Sequence, residues 1–243
     1  VNSICTIKNY NNKQMKTFPL LLLHGALGSA SQFTLLKEKL KDQFDVHTFD
    51  FSGHGADDYD GILTMERLSN DILEYMDDHG LKRCDIFGYS MGGYAAVQLA
   101  TEHPDRIHRI MTLGTKWRWD AESATKEVKM LDAEIMLEKV PSFAETLRLR
   151  HTGQGWRALL HRTARLMTHL GNTGGFKEED FRHVTIPVRI CLGSEDCMVT
   201  PEESAAVSEW IPQGIFSILE GVPHPLEKVD VELLSKEISS FFV

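Results

Sequence analysis

The sequence predicts an α/β fold: a mostly parallel central sheet flanked by helices, with a helical cap inserted into it. Three observations point there. Apolar runs without alternation, Phe18–Leu23 above all, have the pattern of parallel strands buried on both faces. Helical periodicity returns after nearly every such run, so strand and helix alternate along the chain. From about Lys116 to about Gly175 the strands stop and only helical patterns remain. Residues 1–115 and 176–243 therefore read as one body and residues 116–175 as its inserted cap, in a single continuous domain.

The elements follow in order. Residues Ile4–Ile7 suit a short edge strand. Phe18–Leu23 is the first buried strand, and His24-Gly25-Ala26-Leu27-Gly28-Ser29 after it forms a glycine loop at the strand's carboxyl end, where open α/β sheets place ligands. Phe33, Leu36 and Leu40 mark a helix. Val46–Phe49 is the second strand, Asp50–Gly55 a second glycine loop, and Met65, Leu68, Ile72, Leu73 and Met76 give the next helix. A strand through Ile86-Phe87 turns at Ser90 into a helix over Tyr94–Ala100, which Pro104 closes. Ile110–Leu113 is a strand.

The cap is broken near Pro141 and Gly153-Gln154-Gly155 and punctuated at Gly171–Gly175. Val188–Leu192 resumes the sheet. A loop over Gly193–Val199 is closed by Thr200-Pro201-Glu202-Glu203, a capping box with proline at the first helical position. Ile215–Leu219 is the last strand, and Leu234, Ile238, Phe241 and Phe242 mark the last helix.

Composition narrows the function. The 243 residues carry a net charge of -9, which argues against a nucleic-acid or anionic-membrane surface. No apolar run has transmembrane length, and the polar start, Asn2–Lys16, is not a signal peptide. Cys5, Cys84, Cys191 and Cys197 lack metal or redox spacing and read as free, mostly buried thiols of a reducing compartment. A cytoplasmic protein with a small-molecule substrate and no metal or cofactor is expected.

The chemistry centres on Gly88-Tyr89-Ser90-Met91-Gly92, a GxSxG pentapeptide between strand and helix. Such an elbow holds the serine in a strained conformation with its Oγ exposed above a helix N-terminus. A serine hydroxyl needs a base, normally an imidazole oriented by a carboxylate. Of the eleven histidines only His24, His54 and His224 fall in loops at the carboxyl ends of strands. The acid is sought in Gly193-Ser194-Glu195-Asp196-Cys197, which offers Asp196 or Glu195. Taking Asp196 gives the chain order Ser90, Asp196, His224.

These signals together resemble the α/β-hydrolase superfamily: GxSxG at an elbow, HG…G after an early strand, an acid after the penultimate strand and a late histidine. The resemblance, of the small capped serine-esterase type, implies Ser90 as nucleophile, Asp196 as orienting acid and His224 as base. It also implies an oxyanion hole formed by the backbone N–H groups of Met91 and Ala26. Asp50, His54 and His24 are read as structural, His24 bracing the oxyanion loop. The expected reaction is hydrolysis of a small carboxylic ester through an acyl-enzyme. Two alternatives share the scaffold: a cofactor-free C–C bond hydrolase or lyase, and a non-catalytic small-ligand-binding protein. Tyr94, where such lyases usually carry arginine, weighs against the first.

Substrate choice resembles a property of the cap. Between Lys116 and Arg165 stand ten Lys/Arg and seven Asp/Glu, a local balance of +3, together with Trp117, Trp119 and Trp156. Tyr89, Trp117 and Arg118 are the candidate substrate contacts, in an aromatic pocket with a cation for an anionic or aromatic acyl group. The plainer reading, tryptophans packed on the body and charges in water, is preferred.

Overall fold

The computed structural model of the chain describes residues 18–243. Six strands form one sheet: β1 (Leu20–Leu23), β2 (Val46–Thr48), β3 (Cys84–Tyr89), β4 (Ile107–Leu113), β5 (Val188–Glu195) and β6 (Gly214–Pro223). Their order is β2-β1-β3-β4-β5-β6, and every pairing is parallel. The strand expected over Ile4–Ile7, like Cys5, lies outside the described residues.

The unalternating leucines of β1 are explained by burial on both faces. Leu20 and Leu22 pack with Phe87 and Met111 against one helical layer, built from α1 (Thr34–Leu40) and α10 (Val231–Phe242). Leu21 and Leu23 pack with Ile86 and Ile110 against the other, built from α2 (Met65–Asp78), α3 (Met91–Glu102) and α9 (Pro201–Trp210).

Between β4 and β5 the chain is helical: α4 (Ala121–Lys129), α5 (Ala133–Lys139), α6 (Pro141–Arg150), α7 (Trp156–Thr173) and the short α8 (Glu178–Arg182). Pro141 and the Gly153–Gly155 stretch separate successive helices, as their residues require. Gly171 does not end α7. A Cβ there would stand 2.4 Å from that of Ala124, so this glycine lets α4 and α7 cross closely, and the helix runs on to a left-handed Gly174 cap. Leu147, Leu159 and Leu166 of this insertion belong to the same apolar cluster as α2 and α3, so the cap shares a core with the body.

Two further expectations change. β5 continues through Glu195, so the loop after it begins later than the glycine at 193 suggests. The Thr200 hydroxyl caps α9 by accepting from the Glu203 N–H, with Pro201 at the first helical position, but the Glu203 carboxylate does not close a capping box. It accepts instead from the backbone N–H groups of Trp117 and Arg118, at 2.7 Å for Arg118. Among the described residues, no helix is long and apolar enough to cross a membrane.

Candidate active site

Ser90 lies between the end of β3 and the first residue of α3, with φ 51° and ψ -117°. That left-handed backbone is unfavourable for a residue with a Cβ and costs about 1–3 kcal/mol. The surroundings over-determine it. The Ser90 N–H donates to Leu113 O at 2.9 Å, and the Ser90 carbonyl accepts from the Thr115 hydroxyl at 2.9 Å and from the N–H groups of Gly93 and Tyr94 at 3.0 and 3.3 Å. Two glycines of the elbow are required by close approach. A Cβ on Gly88 would lie 2.5 Å from the Gly93 Cα, and one on Gly92 would lie 2.6 Å from Leu23 O.

The same anchoring aims the neighbouring amide. A trans peptide points its C=O and N–H in opposite directions, so tying down the Ser90 carbonyl turns the Met91 N–H the other way, at the N-terminus of α3. The loop after β1 repeats the device. Gly25 O accepts from the His24 ring Nδ1–H at 2.9 Å and from the Gly28 N–H at 3.0 Å, which turns the Ala26 N–H away. A Cβ on Gly25 would stand 3.1 Å from the Ser90 Cβ, so this loop is the serine's immediate neighbour. Among the described residues, neither the Ala26 nor the Met91 N–H has a protein acceptor. Two free N–H groups beside one serine can receive a developing negative charge.

The residues expected as acid and base meet. His224, directly after β6, contacts Asp196 Oδ2 through Nδ1 at 2.7 Å, with side-chain exposures of 10% and 2%. A carboxylate can only accept, so Nδ1 carries the proton and Nε2 is left as the basic nitrogen. Asp196 Oδ1 accepts from the N–H groups of Met198 and Val199 at 2.8 and 3.1 Å. Burial alone would raise the Asp196 carboxyl, but the His224 contact and these two amides hold it below the usual carboxylate range. Glu195, the other sequence candidate, is exposed at the end of β5.

The dyad is tied to the residue before the serine, while Ser90 Oγ itself makes no hydrogen bond to His224. Tyr89, the residue before Ser90, donates its hydroxyl to His224 O at 2.8 Å. Gly114, following the Leu113 that bonds the Ser90 N–H, has φ 63°, and a Cβ there would stand 3.1 Å from Asp196 Oδ2 and 3.2 Å from His224 Nδ1.

His24, His54 and His151 cluster behind the Ala26 loop. His24 Nε2 accepts from the Phe51 N–H at 3.2 Å, His54 Nδ1 lies 3.1 Å from Ser52 O, and His151 is hydrogen bonded through both nitrogens. Asp50 accepts from the Ala30 N–H at 2.6 Å, so both glycine loops are braced by polar side chains. Among the described residues, no three His, Cys, Asp or Glu side chains converge as metal ligands.

Above Ser90 is a cavity of about 50 Å³, lined mainly by apolar side chains. Met65, Met91 and Tyr94 come from the body, and Trp119, Leu166 and Leu170 from the cap, with Lys116 at its edge. The three expected substrate contacts are not there. Tyr89 is buried and spends its hydroxyl on His224. Trp117 is only 1% exposed and packs between Tyr94 and Phe181, with ring centroids at 5.9 and 5.5 Å. Arg118 is exposed, and its guanidinium carbon stands 5.8 Å from the centroid of Trp210. The aromatic and cationic lining comes instead from Trp119 and Lys116, whose ammonium is 5.6 Å from the Trp119 ring. Trp156 is buried elsewhere in the cap.

A profile of the alpha/beta hydrolase fold family matches residues 19–168, and the chain belongs to that family. The chain is 24% identical over 142 residues to a probable alcohol acetyltransferase of Cyberlindnera jadinii, covering 57% of this chain and 38% of that protein. It is 25% identical over 221 residues to the sn-1-specific diacylglycerol lipase ABHD11 of Danio rerio, covering 80% of this chain and 68% of that protein. Several other curated relatives are matched over less than half of their length. Among solved structures, a thermophilic esterase from Thermogutta terrifontis is similar in fold, with a TM-score of 0.74 at 22% identity over 92% of this chain and 89% of that one.

Proposed function

We propose that the protein is a serine hydrolase that cleaves small carboxylic esters by way of an acyl-enzyme. The observation that carries this is the Asp196–His224 pair at 2.7 Å, tied through the Tyr89 hydroxyl to the neighbour of a serine whose φ is 51°. Esterase and lipase names among the relatives support the same class.

In this reading Ser90 Oγ attacks the ester carbonyl while His224 Nε2 takes its proton. Asp196 holds the imidazole in the required tautomer and stabilises its positive charge. The carbonyl electron pair moves onto oxygen, where the N–H groups of Ala26 and Met91 receive it, each contributing about 3 kcal/mol in the transition state. Collapse breaks the C–O bond, and the leaving alkoxide takes the proton from His224. Water then repeats the sequence on the acyl-serine, giving up a proton to His224, releasing the acid and restoring Ser90.

The size of the cavity above Ser90, about 50 Å³, favours short acyl groups. Hydrolysis of p-nitrophenyl esters from acetyl to lauroyl tests this directly. The expected kcat/KM is highest for acetyl or butyryl and falls about tenfold or more by octanoyl. An optimum at the long end would contradict the short-acyl assignment.

A further inference from the structure

The C-terminal end of α6 reaches out of the cap and holds two of the loops that the proposed reaction needs. Leu27 follows Ala26 and is, with Ser90, one of two non-glycine residues at positive φ among the described residues, at 59°. Its carbonyl accepts from Arg150 Nη1 at 3.1 Å and from His151 Nε2 at 3.0 Å. The tautomer of His151 is fixed by its other nitrogen, since Nδ1 accepts from the Gly55 N–H at 2.9 Å and Nε2 must therefore carry the donated proton. Thr152 adds a backbone bond to Gly55 O at 2.9 Å.

Arg150 has a second engagement. Its Nη2 donates to Glu227 Oε1 at 2.8 Å, and that oxygen also accepts from Gln32 Nε2 at 2.8 Å. Glu227 sits in the short turn Leu226–Lys228, three residues beyond His224. A single guanidinium, 12% exposed, thus bridges the loop carrying Ala26 and the turn that follows His224. Arginine suits this bridge because its fork serves two acceptors at once in a fixed plane, which a lysine ammonium does not.

We propose that Arg150 and His151 are positioning residues: through the Leu27 carbonyl they keep the Ala26 N–H aimed at the oxyanion, and through Glu227 Arg150 keeps the His224 turn in step with it. The seating of the cap then sets the catalytic competence of the body. This rests on the serine-hydrolase reading. The effect belongs in the transition state, because the aim of the Ala26 N–H matters most when charge has developed on the substrate oxygen.

The experiment compares wild type, Arg150→Gln, Arg150→Lys, Glu227→Gln and the Arg150→Gln/Glu227→Gln pair, with thermal unfolding recorded for each. Readouts are kcat and KM on p-nitrophenyl acetate and the rate of fluorophosphonate labelling. Arg150→Gln should lower kcat about 10- to 100-fold, a part of what losing one oxyanion donor removes, with KM within about twofold of wild type. Labelling should slow in parallel, Arg150→Lys should recover little, and the pair should be no worse than Arg150→Gln alone. A purely structural clamp would lower the unfolding temperature and leave kcat and labelling of the folded variants unchanged, and that result would overturn the proposal. Should Arg150→Gln not fold, Glu227→Gln, at a half-exposed site, tests the same bridge, with an expected kcat loss of about threefold or more. A wild type that neither turns over ester nor labels would sink the serine-hydrolase reading and this inference together. An active wild type matched by all variants would sink this inference alone.

Discussion

Both oxygens of Asp196 are committed, one to the His224 ring and one to the amides of Met198 and Val199. Those amides fix how an asparagine would sit there: its oxygen would keep the two N–H partners and its NH2 would face His224 Nδ1. The imidazole would then be forced into the other tautomer, so Asp196→Asn should lower kcat about 10⁴-fold with little change in KM or fold. Steady-state kinetics check it, and a loss under tenfold would remove Asp196 from the proposed triad. Gly114→Ala should act on the same pair, because a methyl group in a left-handed backbone, 3.1 Å from Asp196 Oδ2, displaces the dyad it touches. A drop of at least about 1 kcal/mol in denaturant stability with a parallel loss of kcat is expected. Much of this arrangement was legible in the sequence, since Ser90, His224 and an acid near 196 each follow a strand of the sheet. The choice between Asp196 and Glu195 was not, because it depends on β5 running three residues past its apolar stretch, which ends at Leu192. Thr115 and Gly114 also follow a strand directly, and that position is their only signal.

At the scale of elements, the join between cap and body rests on Glu203. Its buried carboxylate accepts the N–H groups of Trp117 and Arg118 at the start of the insertion. Glu203→Ala leaves those donors without a partner and should cost about 2–3 kcal/mol, read as a lower midpoint in urea unfolding with an unchanged slope. Gly171→Ala should push α4 from α7 and cost about 1–3 kcal/mol, by the same measurement. A neutral result at either position would show that the insertion is not held as described. The sequence announced Thr200 and Pro201 as a helix start, because caps are local. It could not announce that the Glu203 side chain turns to the cap, since the competing donor, the Trp117 N–H, lies 86 residues away. The expected pocket residues failed for a related reason. Periodicity and composition place Trp117, Trp119, Lys116 and Arg118 together, and only the packing decides that Trp119 and Lys116 line the cavity that includes Ser90.

Across the whole molecule, His24, His54 and His151 bring the two glycine loops and the cap into one buried cluster, with ring centroids at 4.9 Å for His24–His54 and 5.8 Å for His54–His151. Burial disfavours their charged forms: His24 is lowered to about 4, His54 lies well below its ordinary value, and His151 is lowered as well. Below the ordinary value of 6.5 the unfolded chain therefore binds protons that the folded chain refuses. The stabilisation is complete above that pH and is lost as pH falls toward 4, at about 1.4 kcal/mol per pH unit for His24, with His54 and His151 acting in the same direction. Thermal unfolding midpoints should be flat just above neutrality and fall steeply between pH 6.5 and 4, and a flat profile down to pH 4 would contradict this role for the cluster. The layered sheet was legible in the alternation of strand and helix, while the cluster was not, because its members lie in three segments joined only by folding. The most direct test of the central claim is reaction of the protein with a fluorophosphonate, followed by mass analysis of the peptide carrying Ser90, beside ester turnover by wild type and Ser90→Ala. Modification at Ser90 alone, with turnover abolished in Ser90→Ala, is the predicted result; turnover that survives Ser90→Ala, or a label carried on another residue, would contradict it.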